Sequence, residues 1–255
     1  MNILGVEIGL NYFKAAIVET QNGALGSEPL ELSFKKVLTP GDALSQLHKI
    51  VAHFDWEGPT GIAFPATVTK GVILSSDRVH ENWMNLNAES FFIELNDLPC
   101  YVVNHSDAAG IAEMAMGAGK DERGLTVMLT VGQYIGSSMF IRKYLIPNTE
   151  LGRVEIKGKW AELIASNTAR KAAGLNRKGW AKRIEDVLEA FEEILHPDLF
   201  ILGGKLSEKS DKTFPFIKLN TPLKAADFKT DASIIGAALF AEECYIAAKN
   251  AGEEK

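Results

Sequence analysis

Tyr101–Gly119, YVVNHSDAAGIAEMAMGAG, decides how the chain is read. Tyr101, Val102 and Val103 are an apolar run suited to a buried strand. Asn104, His105, Ser106 and Asp107 follow, and Asn104–Ser106 reads as a tight break. Ser106 or Asp107 can then cap a helix. Ala108, Ala109, Ala112 and Ala115 keep the surface of that helix low enough for another backbone to pack close. A strand running into a helix N-terminus puts its polar residues at a sheet edge, where open α/β sheets bind ligands. On these residues alone, an ordinary strand–helix turn with a capping Ser and Asp is the better reading.

Outward from this stretch, the chain alternates strands and helices. Asn2–Thr20 reads as two strands joined at Gly9-Leu10-Asn11, with a third at Leu30–Phe34. Thr39-Pro40-Gly41-Asp42 starts a helix whose apolar face is Leu44, Leu47, Ile50, Val51 and Phe54. Gly61–Ala66 and Gly71–Leu74 read as strands, Asn87 as a cap for a helix with Phe91, Phe92 and Leu95, and Leu98–Val103 as the next strand. Leu125–Leu129, a turn through Gly132 and Gly136, and Ser138–Ile141 repeat the strand–glycine turn–strand unit of the N-terminus. Helices are predicted over Trp160–Ala173 and Trp180–Leu195, a buried strand over Leu199–Leu202, and a small-residue helix over Ser233–Ala248. The last residues, AGEEK, read as a frayed tail.

Bulk properties narrow the classes. With 255 residues, 46% of them hydrophobic, the chain can bury one large core or two. A net charge of −6 gives no general basic field for nucleic acid. Cys100 and Cys244, the 2 cysteines, lack a CxxC partner, which argues against a disulfide framework and a Cys-rich zinc site and fits a reducing cytoplasm. The start MNILGVEIG has no basic n-region or apolar h-region, and no apolar run approaches the ~20 residues of a membrane span. Arg170, Lys171, Arg177, Lys178, Lys182 and Arg183 could guide a polyanion, but such a run reads better as a solvated helix face.

VVNHSDAAGIAEMAMGAGK resembles the segment V-x-N-D-A-D-A-A-G-x-A-E of ROK-family sugar kinases, polyphosphate glucokinases above all. The resemblance implies a two-lobed α/β protein with the actin-like ATPase, sugar-kinase (ribonuclease H-like) fold. Its lobes would be 1–105 and 106–255, with the last helix, 233–248, packing back on the first lobe. In the family the Asp after the Asn takes the proton from the sugar hydroxyl. His105 stands there in this chain, with Asp107 two residues on, so these two are the catalytic candidates. GVEIGLNYFKAAIV (5–18) is similar to the family's first phosphate loop, whose glycines let backbone N–H groups close on phosphate oxygens and whose acid organises Mg²⁺. That gives Gly9, Asn11 and Lys14 as phosphate-binding candidates and Glu7 as the metal candidate. LTVGQYIGSSMFI (129–141) resembles the second loop, with Thr130, Gly132 and Gln133. DLFILGGKLS (198–207) resembles the third, with Gly203 and Gly204.

IPNTELGRVEIKGK (146–159) is similar to the sugar-binding stretch of polyphosphate glucokinases, and AFPATVTKGVIL (63–74) with Trp83 resembles a further family segment. By this resemblance Asn104, Glu150, Arg153 and Glu155 hold the sugar; a carboxylate suits hydroxyl groups because each oxygen accepts from more than one donor. Read alone, Glu150 and Glu155 are equally solvated hairpin acids. The implied activity is phosphoryl transfer to the glucose 6-hydroxyl, with Mg²⁺ and ATP or polyphosphate as donor, no zinc, and a homodimer as the assembly. The departures from the family pattern fall on its chemical positions: Glu7, Leu10, Asn11, His105, Gln133, Tyr134, Arg153 and Lys205. They leave a second expectation, a catalytically silent relative that binds a sugar or regulates a partner.

Overall fold

The computed structural model describes Met1–Glu253; Glu254 and Lys255 lie outside the described residues. β1 (Asn2–Ile8) and β2 (Tyr12–Glu19) form an antiparallel hairpin with Glu7 opposite Lys14. β3 (Ala24–Leu25) and β4 (Leu30–Ser33) both pair with β2. α1 (Pro40–Phe54) starts at Thr39, whose hydroxyl accepts from the Asp42 N–H, and it buries Ala43, Leu47 and Ile50. β5 (Thr60–Phe64) lies parallel to β1. A small hairpin, β6 (Val68–Thr69) and β7 (Val72–Ile73), leads to α2 (Ala88–Asn96), capped by the Asn87 side chain. β8 (Cys100–Asn104) pairs parallel with β5 and completes a sheet in the order β3-β2-β1-β5-β8, with β4 also on β2. α3 (His105–Ala115) follows at once.

The second half repeats the pattern. β9 (Leu125–Val131), β10 (Ile135–Ile141) and β11 (Tyr144–Ile146) form an antiparallel meander. After the β12 (Glu155–Ile156) and β13 (Lys159–Trp160) hairpin come α4 (Ala161–Ala165), α5 (Asn167–Ala172) and α6 (Arg177–Leu195). β14 (Leu199–Gly203) lies parallel to β9, and β15 (Leu223–Ala225) parallel to β14, giving the order β11-β10-β9-β14-β15. The chain ends in α7 (Ala232–Glu253), helical past the point where the sequence predicts fraying. Among the described residues no helix is long and apolar enough to cross a membrane.

Two of the sequence expectations change. The predicted helix 160–173 is interrupted at Ser166, whose extended backbone ends α4 and whose hydroxyl accepts from the Ala169 N–H to start α5. The break expected at Asn104–Ser106 is absent. Asn104 Oδ1 accepts from the N–H groups of both Ser106 (2.8 Å) and Asp107 (3.2 Å), so the strand residue itself caps the helix.

The chain divides into two compact units, Met1–Ala112 with the segment from Ser233, and Glu113–Ala232. The division falls inside α3 instead of at 105/106. The first two turns of α3 belong with the first sheet because they pack against α7. Gly236 of α7 faces the backbone of Ala108, where a Cβ would overlap the Ala108 carbonyl oxygen. Gly5 of β1 and Gly61 of β5 likewise face the carbonyls of Ile234 and Ala237. The core of this unit is built on Trp83, fully buried, edge-on to Phe64 at 4.7 Å and donating its indole N–H to Leu38 O at 2.9 Å. In the second unit Val127, Leu129, Phe200 and Leu202 meet Ile184, Leu188 and Phe191 of α6.

Glu113 pins the second unit. It is buried, and its carboxylate accepts from the N–H groups of Ala118 (2.9 Å), Asp227 (3.0 Å) and Phe228 (2.8 Å). Burial pushes its pKa up, and the three donors oppose that shift. In Glu113→Gln an amide NH₂ replaces one acceptor oxygen and faces N–H groups. The expected cost is about 1–3 kcal/mol, read from denaturant midpoints, because buried donors lose their partner. An unchanged midpoint would show that the clamp carries no stability. Gly236→Ala is expected to cost about 1–3 kcal/mol by forcing α3 and α7 apart. A variant as stable as the wild type would mean that the two backbones do not touch.

Candidate active site

The first unit gathers its polar groups at the β8–α3 junction. His105 opens α3, and its Nε2 lies 2.8 Å from Glu7 Oε1 on β1. The Tyr12 hydroxyl donates to the same Glu7 oxygen at 2.5 Å. Ser233 Oγ, near the start of α7, lies 3.2 Å from the same ring nitrogen. Burial raises the pKa of Glu7, but hydrogen bonds and charge from His105, together with Tyr12 and Lys14, outweigh it and hold the carboxyl below its usual range. Burial, then the Glu7 charge and hydrogen bond, push the Tyr12 hydroxyl up, so it remains a donor. His105 keeps 29% of its side chain exposed, whereas Asp107 is 1% exposed. Of the two expected catalytic residues, His105 is therefore the one that can meet a ligand.

Asn104 is largely committed. Its oxygen caps α3, and its Nδ2 donates to Ala66 O at 2.9 Å, which leaves one amide hydrogen for a ligand. At the first turn, the Gly9 N–H donates to Tyr12 O at 2.8 Å, and Asn11 is exposed. The Tyr12 ring lies over Gly9, where any Cβ would strike it. Tyr12 and Ser233 escape the sequence reading. Tyr12 could have been found, since strand alternation puts Tyr12 and Lys14 on one face of β2 and pairing puts Glu7 opposite Lys14. Nothing in the sequence points to Ser233, 128 residues from His105.

In the second unit two of the expected phosphate turns adjoin. β14 pairs with β9 with Gly203 opposite Thr130, so both strands end side by side. Gly204 has φ +70°, and a Cβ there would sit 3.1 Å from Val131 O, a position suited to glycine. Lys205 is exposed beside it. The Gly132 N–H donates to Tyr134 O within the turn at 3.0 Å. Asn167 N–H and the Thr168 hydroxyl hold the carbonyls of Gly132 and Gln133 at 2.8 and 2.7 Å. Tyr134, a bulky departure at this turn, is 37% exposed. The Ser137 hydroxyl donates to Thr149 O and accepts from Leu151 N–H, tying the 149–151 loop to β10. Arg153 Nε lies 3.6 Å from Glu150 Oε2, and Glu155 is exposed on β12.

The expected metal residue does not fit that role. Glu7 is buried and its Oε1 accepts from both Tyr12 and His105, partners that use the carboxylate as a hydrogen-bond acceptor. Among the described residues no group of three or more His, Cys, Asp or Glu side chains is placed to hold a metal.

No protein-family profile matches the chain. It is 37% identical over 236 residues to a polyphosphate glucokinase of Mycobacterium leprae (strain TN), spanning 92% of this chain and 73% of the relative. A crystal structure of an inorganic polyphosphate/ATP-glucomannokinase from Arthrobacter sp. strain KM superposes with a TM-score of 0.90 at 31% identity, over 94% of this chain and 98% of that one. A ROK family glucokinase from Streptomyces griseus, solved with glucose and AMPPNP, shares the fold with a TM-score of 0.78 at 19% identity, over 95% and 100% of the two chains.

Asn104→Ala removes the cap that joins β8 to α3. It is expected to cost about 0.5–2 kcal/mol, while Asn104→Ser, which keeps a capping oxygen without turning an acceptor toward Ala66 O, costs less. Equal losses in thermal unfolding would show that the cap is not what matters at this position.

Proposed function

Since the chain belongs to the polyphosphate glucokinase family of ROK-type sugar kinases, we propose that it transfers a phosphoryl group from polyphosphate or ATP to the 6-hydroxyl of glucose. The observation that carries the reading is the 37% identity that runs through 92% of the chain. Asn104, Glu150, Arg153 and Glu155 receive the sugar. The turns at Gly9–Asn11 with Lys14, at Thr130–Gln133 and at Gly203–Gly204 receive the phosphates of the donor. His105, at the position of the family's proton acceptor, takes the hydroxyl proton as the sugar oxygen attacks phosphorus. No step is assigned to a metal at Glu7, whose carboxylate is engaged by Tyr12 and His105. The family also uses homodimers, and sedimentation of the full chain tests that assembly.

The silent-relative reading has no observation in its favour.

Incubation with glucose, Mg²⁺ and either ATP or polyphosphate is expected to yield glucose 6-phosphate. No product with either donor overturns the activity. His105→Ala is expected to lower kcat by about 10²–10⁴-fold, the usual contribution of a positioned base, with a smaller effect on the KM for glucose. A rate untouched by that change removes His105 from the chemistry.

A further inference from the structure

Glu7 and His105 are 98 residues apart in sequence and share a hydrogen bond of 2.8 Å. We propose that Glu7 acts through His105: its carboxylate holds the ring by Nε2–H, fixes the tautomer that leaves Nδ1 as proton acceptor, and stabilises the imidazolium formed on transfer. This rests on the reading of His105 as the base. It makes Glu7 a positioning residue, not the acid that organises a metal.

The tautomer follows from the donors and acceptors present. The Glu7 carboxyl is held below its usual pKa range, and an ionised carboxylate only accepts. The hydrogen between Glu7 Oε1 and His105 Nε2 therefore belongs to the ring. Tyr12 occupies the same carboxylate oxygen as a second donor at 2.5 Å, which restricts the movement of Glu7. Ser233 also meets the ring at Nε2, at 3.2 Å. Both protein partners of the imidazole are on that one nitrogen, and among the described residues Nδ1 has none. Glu7 is buried while His105 is 29% exposed, so the acceptor lies on the inner side of the ring. In other enzymes a carboxylate orients a histidine base by holding Nδ1–H and leaving Nε2 to accept the proton; here the two nitrogens exchange roles.

The step balances. The sugar O–H bond breaks and an N–H bond forms at Nδ1. The sugar oxygen bonds to the terminal phosphorus of ATP or polyphosphate, and the bond from that phosphorus to the leaving phosphate oxygen breaks. The imidazolium, paired with Glu7, then releases its proton to solvent.

Two measurements on the full chain test this. The first is independent of activity: ¹⁵N chemical shifts of the neutral His105 ring. Wild type is expected to show a protonated Nε2 and a bare Nδ1, and Glu7→Ala is expected to lose that preference. A wild-type ring protonated at Nδ1 overturns the proposal even if His105 proves to be the base. The second is a double-mutant cycle. Glu7→Gln keeps shape and one acceptor oxygen but removes the charge. It is expected to lower kcat by about 10–10⁴-fold with KM for glucose unchanged, the upper end being the loss when the carboxylate that orients a histidine base is neutralised. In the His105→Asp background, which has no ring to orient, the same change is expected to cost nothing. An equal loss in both backgrounds shows that Glu7 acts independently of His105 and overturns the proposal. Full activity in His105→Ala, with the wild-type ring found protonated at Nε2, refutes the base reading and with it the proposal, and leaves only the Glu7–His105 hydrogen bond standing.

Discussion

The close seating of α7 is the constraint on which the first unit depends. Gly5, Gly61 and Gly236 each face a backbone carbonyl where a side chain would have no room. Their lack of a Cβ lets the final helix lie against β1 and β5 and against the start of α3. The last segment is thereby made part of the unit that holds the first residues. The same contact carries Ser233 to the ring of His105. Packing that looks purely structural thus supplies one wall of the candidate site.

Asn104 ties that packing to the chemistry. Because its side chain caps α3 from the last position of β8, strand and helix join without a loop, and His105 occurs at the first helical position. A residue there has its backbone fixed by the helix and its side chain at the end of the sheet, the place where α/β sheets present functional groups. Glu7 and Tyr12 reach the same point from the hairpin opposite. Glu7 and His105, two residues that depart from the motifs the sequence resembles, touch each other.

The second unit uses a different device. Its strands β9 and β14 are parallel and in register, so the turns that follow Thr130 and Gly203 adjoin. Gly204 adopts a positive φ close to the Val131 backbone, and the Asn167–Thr168 end of α5 holds the carbonyls of the other turn. Glu113 fixes the segment around Asp227 and Phe228 by accepting their N–H groups. Each of these is a backbone satisfied at a place where regular pairing ends.

The sequence by itself determined the alternation of strands and helices, the repeated hairpin, the caps at Thr39 and Asn87, and the family. Period-two and helical patterns, Pro–Gly punctuation and glycine spacing are local signals that survive without coordinates. It also named His105 and Glu7 as residues of interest, from their positions in motifs. It misread the entry to α3, because Asn, Ser and Asp are all competent caps and only the backbone path shows which one accepts. It could not separate two roles for Glu7, because a carboxylate that binds a metal and one that orients an imidazole are the same residue type, told apart by what lies within 3 Å. Only the tertiary structure brings residues 7, 12, 105 and 233 to one point. It also placed the division of the chain inside α3: the small residues of α3 and of the last helix signal close packing, but only the coordinates show that Gly236 meets Ala108.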